Sequence, residues 1–159
     1  MAEELRIERG AGGEVILRLP SEERFLLRRL ASELRSQLEA APDDPELRRL
    51  SPPAYEDEED QAAYRDLTAH ELLGGRLQAL DVLAETVDSN RLSGERADAW
   101  LRALNDLRLV LGTRLEVGEQ TLLEDLHPDD PRAPDLVVYA YLSWLQEQLV
   151  EALASDPPA

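Results

Sequence analysis

Residues 99–115, Ala99-Trp-Leu-Arg-Ala-Leu-Asn-Asp-Leu-Arg-Leu-Val-Leu-Gly-Thr-Arg-Leu115, decide the fold class of this chain. Trp100, Leu101, Leu104, Leu107, Leu111 and Leu115 recur at the three- and four-residue spacing of an amphipathic helix. Arg102, Arg108 and Arg114 lie on the same helix, and at 100° per residue they point about 120° apart. They cannot share one solvated face. At least one lies against protein, where a guanidinium needs a carboxylate or carbonyl partner. Asp98 and Asp106 stand four residues either side of Arg102 and are its local partners. Arg108 and Arg114 lack an acid at that spacing, so their partners must come from elsewhere in the fold or from another protein. Trp100, Leu104, Leu107 and Leu111 are the expected structural core.

Working outward, Ser93 is the expected N-cap of this helix, and Gly112 is expected to weaken and end it. After an ambiguous stretch, Val117–Leu126, and a proline-rich loop, Asp135 starts a last helix. That helix carries Leu136, Val137, Tyr141, Trp144, Leu145, Leu149 and Leu153. Trp144 and Leu145 join the expected core, the two tryptophan helices forming its central pair. Upstream, Leu5–Arg9 and Glu14–Leu19 alternate around Gly10-Ala11-Gly12-Gly13, which predicts a β-hairpin within residues 4–19. Ser21 is the expected cap of a helix bearing Leu27, Leu30, Ala31, Leu34 and Leu38. Pro42-Asp43-Asp44-Pro45 breaks it, and Glu46–Leu50 suits a short helical turn. A helix through Ala62 and Leu67 follows, and Thr68 with Glu71 forms a capping box for another. Gly74-Gly75 weakens that helix by about 1 kcal/mol per glycine against alanine, and predicts a kink or a close helix contact. The expected fold is mainly α: a single compact domain, residues 1–155, of about five helices with a small N-terminal β-hairpin, and a disordered tail at 156–159.

The 159 residues are 43% hydrophobic, which suits a globular domain, and no apolar run approaches the length of a membrane span. The acidic start, Met1-Ala-Glu-Glu-Leu, does not read as a signal peptide, and a cytoplasmic protein is expected. Thirty-four acids oppose 17 bases for a net charge of −17, and every base is arginine. Without lysine there is no Schiff-base chemistry and no phosphate-loop lysine. Without cysteine there is no thiol nucleophile, disulfide or thiolate-held metal.

The remaining candidate chemistry is thin. The run Glu56, Asp57, Glu58, Glu59, Asp60 has no glycine turn to fold it around a cation, and reads as a solvated helix start. Asp125, Asp129, Asp130 and Asp135 follow no calcium-loop pattern. His70 and His127 have acidic neighbours, but surface histidines are the plainer reading. Ser143 lacks the Gly-x-Ser-x-Gly context of a nucleophile. Arg24, Arg28 and Arg35 share a helix face, yet Glu22, Glu23, Glu33 and Glu39 offset them. No catalytic, cofactor-binding or metal-ligating residue is expected. The candidate partner-binding residues are Arg108, Arg114 and the Glu56–Asp60 edge.

Four blocks then carry a family resemblance: Trp100–Leu115, Arg49-Leu-Ser-Pro-Pro-Ala-Tyr55 with its acidic continuation, Tyr64-Arg-Asp-Leu-Thr68, and Tyr141-Leu-Ser-Trp-Leu-Gln-Glu-Gln-Leu-Val150. In that order the chain resembles an actinobacterial family long filed as a domain of unknown function, some of whose members are oxidative stress regulators (AosR). The resemblance implies a cytoplasmic stress-response protein acting on transcription, and it carries over no catalytic residues. A thiol redox switch is excluded by the missing cysteines, and the lone methionine is Met1. The leading expectation is a non-enzymatic module that contacts a component of the transcription machinery, its acidic surface suiting a basic partner. Direct DNA binding is the alternative, opposed by the net charge, and an enzyme or metal protein comes third. A homodimer through the aromatic last helix stays open.

Overall fold

A computed structural model describes residues 5–50, 62–116 and 129–154. Strand β1 (Ile7–Arg9) pairs antiparallel with β2 (Val15–Leu17), Ile7 opposite Leu17. The turn between them closes through Gly10 N–H donating to the Glu14 carbonyl at 2.7 Å, with Gly13 at φ +87°, a region that favours glycine. Helix α1 (Ser21–Ala40) follows, then a 3-10 helix (Pro45–Leu50) and α2 (Ala62–Thr86). Strand β3 (Arg91–Leu92) turns the expected hairpin into a three-stranded sheet by pairing with β2. Two residues carry no readable alternation, so this strand is invisible in the sequence. Helices α3 (Gly94–Arg114) and α4 (Ala133–Ala154) complete the fold, which is mainly helical as expected. Among the described residues no helix is long and apolar enough to cross a membrane.

The central element is α3. Ala97, Trp100, Ala103, Leu104, Leu107, Val110 and Leu111 are buried along it, and Leu80 and Leu83 of α2, Val87 just after it, and Leu142, Leu145 and Leu149 of α4 are buried in the same core. Ser93 caps it as expected, its hydroxyl accepting from Arg96 N–H at 3.3 Å. Gly112 does not end it. That glycine is buried, and an added Cβ would lie 3.0 Å from Arg49 Nη1 and 3.1 Å from the Tyr139 ring. The 3-10 helix and α4 press on α3 there, and packing overrides the weak propensity. The indole N–H of Trp100 donates to Thr86 Oγ1 at 2.7 Å, so the buried ring keeps its polar handle satisfied.

Other local expectations are corrected. Ser21 is the first residue of α1, and the Pro20 carbonyl, without a side-chain cap, accepts from Glu23 and Arg24 N–H. Thr68 lies inside α2, so no capping box forms there. Helix α2 also runs through Gly74-Gly75, and a Cβ at either would meet nothing within 4 Å, so no close contact explains the pair. Trp144 is half-buried rather than central. Its ring lies under the Arg6 guanidinium, 5.7 Å from the centroid, and beside Tyr141. The α4 residues buried in the same core as Trp100 are mostly leucines.

One buried side chain of α4 holds the start of the sheet. Gln148 is buried, and its Oε1 accepts from Arg6 N–H at 2.8 Å and Ile7 N–H at 3.0 Å. Two donors at the start of β1 are thereby satisfied. Gln148→Met keeps the volume and strands both donors. Because a buried unpaired group costs about 1–3 kcal/mol, urea unfolding of this variant is expected to show a loss of roughly 2–4 kcal/mol. A loss below about 0.5 kcal/mol would show that water replaces the amide.

Candidate functional site

Polar groups converge where α2 passes α3. Asp106 is 7% exposed, and its Oδ2 lies 3.6 Å from Arg76 Nε. Arg76 is anchored from the other side, Nη2 donating to the Leu50 carbonyl at 2.6 Å. One guanidinium thus ties α2 to the end of the 3-10 helix and to α3. Burial pushes the Asp106 carboxyl above the ordinary carboxylate value, opposed by the nearby charges of Arg76 and then Arg102. Beside this pair opens a cavity of about 270 Å³, with Gly75, Arg76 and Ala79 on one wall and Arg102, Asn105 and Asp106 on the other.

The expected charge ladder on α3 has one rung. Arg102 Nε approaches Asp98 at 3.5 Å with both side chains exposed, where such a pair contributes little. Asp106 turns toward Arg76 instead. Arg108, half-buried, is the arginine that lies against protein. Its Nη2 donates at 3.2 Å to Asn105 Oδ1, which also accepts from Gln146 Nε2 at 3.3 Å. The partner is an amide three residues back on the same helix, a type and spacing that a search for acids four residues away passes over. Arg114 meets Glu46 of the 3-10 helix at 3.3 Å, a partner from elsewhere in the fold. Arg76 had no signal beyond being a lone base within the apolar stretch Leu72–Leu83.

A second feature is an apolar groove between α1, α3 and α4. Leu30, Leu34, Leu107, Val110, Leu111 and Leu142 line it, with Glu33, Gln37 and Arg114 at its edge. Phe25, on α1, is 63% exposed. Arg114 therefore stands at the groove, whereas Arg108 is engaged in the Asn105 network. Glu56–Asp60 and His127 lie outside the described residues, and His70 is exposed on α2. Among the described residues no three His, Cys, Asp or Glu side chains gather to hold a metal.

The family model DUF2017, described as Domain of unknown function, matches residues 4–153. Curated proteins named "Oxidative stress regulator AosR" from Mycobacterium tuberculosis and Mycobacterium bovis are 38% identical over 130 residues, covering 70% of this chain and 59% of each relative. A "Putative oxidative stress regulator AosR" from Mycobacterium leprae is 37% identical over the same coverage. The chain thus spans about three-fifths of the length of these relatives. The resemblance carried by the four sequence blocks is borne out. No solved structure matches the chain.

The raised Asp106 titration has a definite sign. Over the window from the ordinary carboxylate value up to the raised native one, the folded chain binds more protons than the unfolded chain. The contribution of Asp106 to stability therefore grows as pH falls through that window and shrinks as pH rises. Asp106→Asn removes this term. The stability difference, wild type minus Asp106→Asn, is expected to increase from pH 7 toward pH 4 in urea titrations. A flat or opposite trend would mean that the Arg76 charge outweighs burial.

Proposed function

This chain belongs to the DUF2017 family, and from that premise we propose that it is a non-enzymatic regulatory protein of the oxidative stress response that contacts a component of the transcription machinery. The names of its mycobacterial relatives support the regulatory role. The mode of action rests chiefly on one observation, the apolar surface that α1 leaves open at Phe25, 63% exposed, and at half-buried Leu30, which lines the small groove over the buried leucines and valines of α1, α3 and α4. Accessible apolar surface edged by polar groups is the usual anatomy of a protein-binding site. The net charge of −17 favours a partner presenting a basic surface and speeds their encounter.

Arginine use supports protein rather than DNA as the partner. Arg28 pairs with Asp88, Arg35 with Asp81 and Glu39, and Arg114 with Glu46. Arg24 donates to the carbonyls of Leu19, Val87 and Ser89. These guanidiniums are committed to internal acceptors, which leaves few of them to neutralise phosphates.

Immobilised RNA polymerase holoenzyme from the source organism, titrated with the chain by interferometry, provides the test. Saturable binding is expected, at least tenfold weaker for Phe25→Glu and Leu30→Gln at an unchanged melting temperature. Equal binding by both variants, or none by wild type, would overturn the reading. A gel shift of promoter DNA by the chain alone would replace it with direct DNA recognition.

A further inference from the structure

We propose that the cavity between α2 and α3 is a binding site for a small zwitterion, a free α-amino acid with an apolar side chain. The first observation is Gly75. Glycine in mid-helix is disfavoured, and it is ordinarily retained for a positive φ or for close packing. Among the described residues only Gly13 has glycine at positive φ. A Cβ on Gly75 would meet nothing within 4 Å. Gly75 lines the cavity, so any larger side chain there would project into space that the chain leaves open.

The second observation is a buried donor without an acceptor. Arg76 Nε has no hydrogen-bond partner, and Asp106 at 3.6 Å stands beyond hydrogen-bonding distance. This wall of the cavity is therefore one acceptor short. Asn105 also lines the cavity. Its Oδ1 is occupied by Arg108 and Gln146, so its amide N–H groups are the part left to donate.

The charges on the walls specify the class. Arg76 and Asp106 neutralise one another. What remains is Arg102 on α3, whose ion pair is with the exposed Asp98 and whose charge also reaches Asp106, and Glu71 on α2, which has no ion-pair partner among the described residues. An exposed cation and an exposed carboxylate on opposite walls match the carboxylate and ammonium of one zwitterion. Arg102 and Asn105 would receive the carboxylate, and Glu71 the ammonium. Leu72 and Ala79 supply apolar surface for the side chain, and about 270 Å³ accommodates a molecule of this size. A bare anion would be repelled by the field of a chain at −17, and a neutral zwitterion would not. This site is separate from the groove and does not depend on what the groove binds.

Isothermal titration of the full chain with L-valine, L-leucine, L-isoleucine and L-phenylalanine is the test, with N-acetyl-L-leucine and L-leucine methyl ester as single-charge controls. At least one free amino acid is expected to bind saturably, at least tenfold more tightly than either control. Gly75→Leu should abolish binding while the melting temperature stays level or rises, because the added side chain fills open space on a better helix former. Arg102→Gln and Glu71→Gln, both at exposed positions, should each weaken binding at least tenfold. No saturable binding by any of the four amino acids would overturn the proposal. So would undiminished binding by Gly75→Leu, or equal affinity for the acetylated control.

Discussion

Everything else in this fold is arranged around the burial of α3. A helix that touches neighbours on most of its circumference cannot send its polar groups to water. Its close approaches are made possible by Ala97, Ala103 and Gly112, small residues at the sites where other elements press in. Its buried Thr113 returns a hydrogen bond to the Leu109 carbonyl at 2.9 Å. Its buried Asp106 requires a cation from outside the helix, and Arg76 supplies it. That requirement fixes where α2 lies and brings the end of the 3-10 helix with it, since the same guanidinium holds the Leu50 carbonyl. Cavity and ion pair are two aspects of one helix crossing.

The exclusive use of arginine acquires a structural meaning here. A guanidinium offers five donors in a rigid fork, while an ammonium is a compact point charge. Arg24 uses the fork to gather the carbonyls of Leu19, Val87 and Ser89 with the side chain of Asn90, so one residue closes the end of α2 and the entry to α1. Arg9 reaches the Ala152 and Leu153 carbonyls at the end of α4, and Arg132 reaches that of Leu115 after α3. Each places positive charge where a helix dipole is negative. Lysine, with three donors on a single nitrogen, does not reproduce the reach of this five-donor fork.

Legibility in the sequence followed the range of each interaction. Leucine spacing at 3.6 residues revealed α1, α3 and α4 and, as two pieces, α2, and the alternation around a glycine-rich turn revealed β1 and β2, because those signals are local. Ser93 was readable as a cap for the same reason. Thr68 with Glu71 imitated a helix start but lies within α2, which begins six residues earlier at Ala62. Gly112 imitated a helix end because the Arg49 and Tyr139 side chains that require its small size come from distant parts of the chain. The candidate site was harder still. Asp106 had an arginine four residues away, and only the tertiary fold shows that it turns to a different one. The groove was readable as leucines, but not as a small opening over leucines from three different helices.

The Gln148 amide also constrains the order in which the structure can be completed. It joins residues separated by 142 and 141 positions, nearly the whole length of the chain. Contacts of such separation form late, since loop closure must come before they contribute. During synthesis from the N-terminus, β1 emerges early and its outer donors face water until the last helix has left the ribosome. Strand β1 is therefore made well before its outer edge is secured, and until then that open edge is exposed to mispairing with another strand.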